Sequence, residues 1–463
     1  MGTDFIDTEL ATLNLGDRRR TRRAKQLLKK LARSPASSFP EVFSDDAELE
    51  ACYRLQNNED VGYHEFLCAH RDASWARASG RKGSVLVLHD TSEVVYESDG
   101  EREGLTQKKG TQSYHAHVAL AVAEEELPVV HGVVGLLPTI IRDKTWFEVT
   151  PEDEENELWV GSQRWWLLAE EVRQTAPPEA TLIHVMDREA DDYTLLTILQ
   201  EQGDDFVIRS KHDRKLEKKG ETLWDTLSAV PILAKREVLV SKRGGKRLPG
   251  TKKTHPDRRR RKATLTIRAC AVVLARPDGV EPVGKPVMRL WIVEAVEEHP
   301  PAGEPTVRWR LLTTLPTENA GDALRVVDIY RKRWLIEEFF KSLKTGCSLT
   351  KRQARSRGTL LTILGMMLPL AWRLLALRTM EREAPKTPAS DLLDAIELKA
   401  LRKLAPKARL PKNPNLAQAL SAIAKLGGHR KQNGRPGWLT LGRGLERLLD
   451  YAAGWRAAVE DED

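Results

Sequence analysis

The sequence predicts an α/β protein: a mixed sheet with helices on both faces, an inserted antiparallel β-subdomain, and helical modules at both ends. Three observations carry this. Two short apolar runs, residues 85–88 and 182–186, lie just before an aspartate, Asp90 after His89 in the first case and Asp187 directly in the second, the pattern of strands covered on both faces. From 204 to 316 short β-rich runs alternate with basic turns, as in an antiparallel sheet. Both ends of the chain carry apolar residues at helical spacing. The predicted units are 1–70, a helical module; 71–203, the first part of the α/β core; 204–316, the β-insertion; 317–375, the second part of the core; and 376–463, a helical C-terminal module.

At 463 residues the chain is long enough for two to four domains with at least one large core. Its net charge of +7, with 30% charged residues, suits a partner that is a polyanion. Cys52, Cys68, Cys270 and Cys347 lie far apart, without zinc spacing. They read as reduced thiols of a cytosolic protein, and the polar, then basic N-terminus does not read as a signal peptide. The apolar run at 360–377 contains Pro369 and Arg373 and reads as a buried helix, so no membrane partner is expected.

In the first module, Asp17 stands at a helix start and nine cations follow between Arg18 and Arg33, over a stripe of Leu27, Leu28 and Leu31. Arg18, Arg19, Arg20, Arg22 and Arg23 are candidate DNA contacts, on phosphates and on guanine edges. Asp90 follows the first apolar run, where a strand should emerge and where open α/β sheets bind ligands; standing alone, such an aspartate is a turn residue. His115 and His117 alternate onto one strand face, and two histidines without a third ligand read as structural. Trp146, Trp159, Trp165 and Trp166 read as packing. Asp187 follows the second run, in the string DREADD; Glu189 and the acids after it sit where a helix should start. In the insertion, residues 242–262 are almost all positive and suit a DNA backbone.

Residues 330–346, YRKRWLIEEFFKSLKTG, read as one helix. At about 100° per residue, Tyr330, Arg333, Glu337, Lys341 and Lys344 fall on one narrow stripe, opposite Leu335, Ile336, Phe339 and Leu343. A carboxylate among cations suits a site that holds a metal and grips phosphate oxygens. Glu338 lies off the stripe. Trp334 lies on the polar side, where its ring could stack on an unpaired base. The competing reading is a solvated face with ordinary ion pairs.

The strings LHDT, DREAD and this Tyr/Arg/Glu/Lys helix, in that order, resemble the signature of the bacterial cut-and-paste DDE transposases of the insertion-sequence-four family. The segments LGDRRRTRR and AELEACYR resemble that family's end-binding domain. The likeness is thin over 97–112 and 139–160. It implies a ribonuclease-H-like core that brings Asp90, Asp187 and Glu337 together, although they lie 97 and 150 residues apart. Three hard oxygen ligands suit two Mg²⁺ ions per site, with Mn²⁺ as a substitute. The resemblance further implies nicking of transposon ends, hairpin formation and resolution, and strand transfer into target DNA. Arg209 and Lys211, in VIRSKH, become candidate phosphate contacts. Trp309 lines up with a base-stacking tryptophan, although on its own residues it reads as sheet core. The implied partners are double-stranded DNA and a second copy of the chain, paired through the C-terminal module, in a bacterial cytoplasm. A structure-specific nuclease on the same fold, and an inactive protein that only binds ends, are the alternatives.

Overall fold

The computed structural model describes residues 5–43, 45–97, 100, 102–108, 110–125, 129–140, 163–240, 246–247, 254–255, 257–278, 286–352, 354–430 and 436–460. Trp146, Trp159 and most of the basic stretch 242–262 lie outside them. At its centre is a ten-stranded mixed sheet. Its strands are β1 (Val85–Glu97), β2 (Thr106–Lys108), β3 (Thr111–Ala123), β4 (Val130–Thr139), β5 (Leu182–Met186), β6 (Asp205–Arg209) and β7 (Ala234–Val240). The short β8 (Lys246–Arg247) and β9 (Thr254–His255) pair apart, and β10 (Arg261–Ala275), β11 (Val287–Glu297) and β12 (Arg308–Thr313) complete the sheet. The order is β2-β3-β1-β5-β6-β12-β11-β10-β7, with β4 also on β3. β1, β5 and β6 run parallel; the other pairings are antiparallel.

This is the mixed α/β, ribonuclease-H-like sheet expected, with two differences. β6 pairs with β5 and so belongs to the core, although the insertion was drawn from 204. The long inserted strands β7, β10, β11 and β12 join the core sheet, because β12 adds directly to β6; the short β8 and β9 alone pair apart from it among the described residues. The parallel core β1-β5-β6 is thus flanked on both sides by antiparallel strands, β3 with β2 and β4 on one side and β12-β11-β10-β7 on the other, and hairpin-connected strands of this kind need no crossover helix.

Helices cover both faces. Leu86 and Leu88 point toward a large core shared with Phe5–Glu9, Arg18–Arg33, Tyr63–Ser79, Ala320–Lys332, Trp334–Lys341 and Arg357–Glu383. Met186, Phe206 and Ile208 point the other way, toward Arg164–Thr175, Tyr193–Gln202 and Leu223–Ala229. Trp165 is fully buried there. In the N-terminal module Asp17 accepts from Arg20 N at the helix start, and Ala24, Leu27, Leu28 and Leu31 form the buried stripe. The apolar run at 360–377 lies in Arg357–Glu383. It is long and apolar enough to cross a membrane, yet 89% of its most apolar window is buried inside the protein. All four cysteines are free.

Helices Leu416–Leu426 and Trp438–Glu460 cross at glycines. A Cβ on Gly444 would lie 1.8 Å from the carbonyl oxygen of Ile423, and one on Gly427 would lie 1.8 Å from that of Thr440. Backbone cannot yield as a side chain can. Gly444→Ala is therefore expected to loosen this helix pair by about 3 kcal/mol. Hydrogen exchange over 416–460 should rise roughly a hundredfold, with the sheet unaffected.

Candidate active site

The parallel strands deliver two aspartates to one edge of the sheet. β5 ends at Met186 and Asp187 follows it, as expected. Asp90 differs: it is not at a strand end. β1 runs on to Glu97 because β3 keeps pairing with it throughout. Its parallel partner β5 stops earlier, the last pair being Leu88 with Val185. Asp90 thus sits where β1 emerges past β5, beyond the end of its parallel neighbour as a residue at a strand end would.

The expected single helix over 330–346 is broken into three pieces. Ala320–Lys332 ends at a tightened turn at Arg333, Trp334–Lys341 follows, and Ser342–Gly346 is a π-turn. Side-chain anchoring accompanies both irregularities. Arg333 is drawn to β1, with Nη1 3.4 Å from Asp90 Oδ2 and Nη2 2.5 Å from Glu337 Oε1. At the π-turn Lys344 Nζ donates to Ser92 Oγ at 2.9 Å and to the carbonyl of Glu93. Arg333, Glu337 and Lys344 therefore lie along Asp90, Ser92 and Glu93.

The remaining stripe residues part company. Tyr330 is buried, edge-on to Trp309 at 5.6 Å between ring centroids, and its hydroxyl interacts with Arg209. Lys341 turns to Glu338 at 2.9 Å and lies over the half-exposed Trp334 ring at 4.8 Å. Glu338, off the stripe as drawn, holds Lys341 and Arg378. Arg209 Nη2 also donates to the carbonyl of Arg308. Lys211 is exposed, with its backbone N–H on Asp191 Oδ2.

The other acids of DREADD have separate work. Asp191 is buried and anchors the turn at 210–214 through Ser210, His212 and Arg214. Asp192 caps the helix Tyr193–Gln202. Glu189 pairs with Arg164 at 3.0 Å. That leaves Asp187 for the site, 90 and 337 being its acidic neighbours. Asp187 and Glu337 both push the Asp90 carboxyl upward, and burial does so more; against Arg333, the net result is a pKa of about 6. Burial disfavours the Arg333 charge, but Tyr330, Asp90 and Glu337 outweigh it and raise its pKa.

The cluster gathers carboxylates around a positive charge. One guanidinium already stands between Asp90 and Glu337, and the donors around it are carboxylate oxygens, which hard divalent ions prefer. As the structure stands, no three acidic, His or Cys side chains among the described residues close around a single point.

Sequence reasoning missed Arg164. It opens the helix Arg164–Thr175 and interacts electrostatically with Glu189, Asp187 and Asp90. It lies beside tryptophans read only as packing, in a stretch without a recognisable motif. In the N-terminal module, Arg18, Arg19, Arg22 and Arg23 are exposed, whereas Arg20 is tied to Asp60 and the carbonyl of Leu15. Arg18, Arg22, Lys25 and Lys29 line an open groove of about 600 Å³.

Two comparisons bear on this arrangement. Residues 3–61 match the family model described as transposase DNA-binding. Residues 161–368 match the model described as transposase DDE domain, a span that holds Asp187 and Glu337 and starts after Asp90.

Proposed function

From the premise that these two domains make the chain a DDE-type transposase, an enzyme of DNA cleavage and strand transfer that uses divalent metal ions, we propose that it works by cut-and-paste. We place it with the insertion-sequence-four family, beside the transposon-five transposase. The observation that carries this is the meeting of Asp90, Arg333 and Glu337 beside Asp187. Those three acids are the catalytic set and hold Mg²⁺, with Mn²⁺ as a substitute. When bound, such ions activate a water or 3′-hydroxyl and stabilise the leaving oxygen of a phosphodiester.

The chain's own residues bind and orient the DNA. Arg18, Arg19, Arg22 and Arg23 hold the terminal repeat by its phosphates. Arg333, once away from the carboxylates, grips the scissile phosphate through its fork. Lys344 and Lys341 hold flanking phosphates, as do Arg209 and Lys211. Trp334, half exposed beside Lys341, offers its face to a displaced base. Trp309 packs on Tyr330 and moves with it if it takes that role. Two copies pair across two DNA ends through the C-terminal helices.

The test is incubation of the protein with its element's own end and Mg²⁺. The expected products are a nicked end, a hairpin, and strand transfer into target DNA. An end that is bound and never cut would return the protein to a DNA-binding role. Cleavage of branched DNA without joining would make it a nuclease.

A further inference from the structure

Each of the two aspartates has one carboxylate oxygen fixed by a backbone N–H just beyond it in the chain. Thr91 N donates to Asp90 Oδ1 at 2.8 Å, and Glu189 N donates to Asp187 Oδ1 at 2.8 Å. The side chains of those same two residues meet on one guanidinium. Arg164 Nε donates to Thr91 Oγ1 at 3.0 Å, and its Nη2 donates to Glu189 Oε2 at 3.0 Å. Arg164 thus ties β1 to the turn after β5.

The tie is set in a firm surround. Thr91 Oγ1 also meets Nδ1 of the buried His117 at 2.9 Å, and His117 lies edge-on to Trp165, 4.6 Å between ring centroids. Arg164 itself is mostly buried, its side chain 19% exposed. Along β1, side chains alternate between faces. Asp90 therefore shares the face of Leu88 with Glu337, while Thr91 shares the opposite face with His117 and Arg164. Arg164 thus approaches the two aspartates from the opposite face of β1 to Glu337.

We propose that Arg164 is a positioning residue that sets the placement of Asp90 and Asp187 relative to each other, and with it how these carboxylates would hold divalent metal ions. The inference rests on the two-ion reading above. A fork is needed here: it presents Nε and Nη2 in one rigid plane to two acceptors, Thr91 on β1 and Glu189 in the turn after β5, which a lysine ammonium on a flexible stem does not. Partners that orient metal ligands typically change metal affinity 10–100-fold when removed.

The experiment is Mn²⁺ titration of the full-length protein followed by electron paramagnetic resonance, with end-DNA affinity measured separately by fluorescence anisotropy without metal. Wild type, Arg164→Ala, Arg164→Lys and Thr91→Ser are compared. Both Arg164 variants are expected to bind Mn²⁺ roughly 10–100-fold more weakly and to lose the magnetic coupling between paired ions. Thr91→Ser keeps the oxygen and should behave as wild type. Metal-free DNA affinity should not change in any of them. Should the alanine variant fold poorly, the lysine variant, which keeps the charge, carries the test. Unchanged Mn²⁺ binding in a folded Arg164 variant overturns the inference, and so does a loss of DNA affinity with Mn²⁺ binding intact, which would make Arg164 a phosphate contact. A wild type that takes up no Mn²⁺ overturns the two-ion reading itself and this inference with it.

Discussion

Asparagine at position 90 is expected to stop DNA cleavage and, at the same time, to make the metal-free protein more stable. Cleavage should fall by a factor of about 10³ or more, because losing a carboxylate ligand removes several kcal/mol of charge stabilisation. The gain in stability follows from burial. The folded protein holds the Asp90 carboxyl up at about 6, through burial first, with Asp187 and Glu337 adding to it. In the unfolded chain the same group titrates near its ordinary value of roughly 3.9. Below about pH 4 it is protonated in both states and asparagine brings nothing. Between about pH 4 and 6 the unfolded state loses its proton first, so wild-type stability falls as pH rises. Above about pH 6 the difference is constant, on the order of 2–3 kcal/mol. Thermal unfolding in a chelator should show Asp90→Asn melting above wild type at pH 7.5 and level with it at pH 3.5. Adding Mg²⁺ should raise the wild type alone. A variant that melts below wild type at pH 7.5 would mean that Asp90 is held by favourable contacts and is not strained by its neighbours.

What the sequence made legible, and what it did not, divides along short and long range. Residues 85–88 and 182–186 are apolar on both faces, and that local pattern was enough to find the two core strands and the acids beyond them. The helix carrying Glu337 was legible from its period, and the N-terminal basic helix from Asp17 and its leucines. The end of β1 was not, because the strand continues through a polar stretch that only pairing with β3 holds extended. The break at Arg333 was invisible for a similar reason: the residue there reaches an aspartate 243 residues earlier. Helical geometry put Tyr330 on the same stripe as Arg333, but the insertion brings Trp309 over it and buries it. Arg164 gave no local sign at all. Its partners come from β1 and from the turn after β5, so its place is set by the sheet.

Alanine at position 333 is expected to raise affinity for divalent ions in the absence of DNA, while lowering affinity for DNA and slowing cleavage. The guanidinium can bridge Asp90 and Glu337, as it does in the structure, or it can grip a phosphate; one fork cannot do both. Each alternative is a competing equilibrium. A phosphate that draws Arg333 away leaves two carboxylates unpaired for an ion, and an ion between them frees Arg333 for a phosphate. DNA and metal should then strengthen each other's binding by the same factor. Hydrogen bonds between charged groups contribute roughly 1.5–3 kcal/mol, so the coupling should be about tenfold to a hundredfold. In Arg333→Ala the metal-free competitor is gone: Mn²⁺ should bind about tenfold more tightly without DNA, and DNA should no longer tighten it. The measurement belongs at pH 8, since without Arg333 the largest offset to the push of burial, Asp187 and Glu337 on Asp90 is lost and protons would compete with the ion. Lys344 provides the contrast. It is held by Ser92 and a backbone carbonyl, not by a ligand carboxylate, so Lys344→Ala should weaken DNA binding without changing Mn²⁺ affinity. Equal Mn²⁺ affinity with and without DNA in the wild type would show that Arg333 does not stand between the two ligands, whatever the fate of the alanine variant.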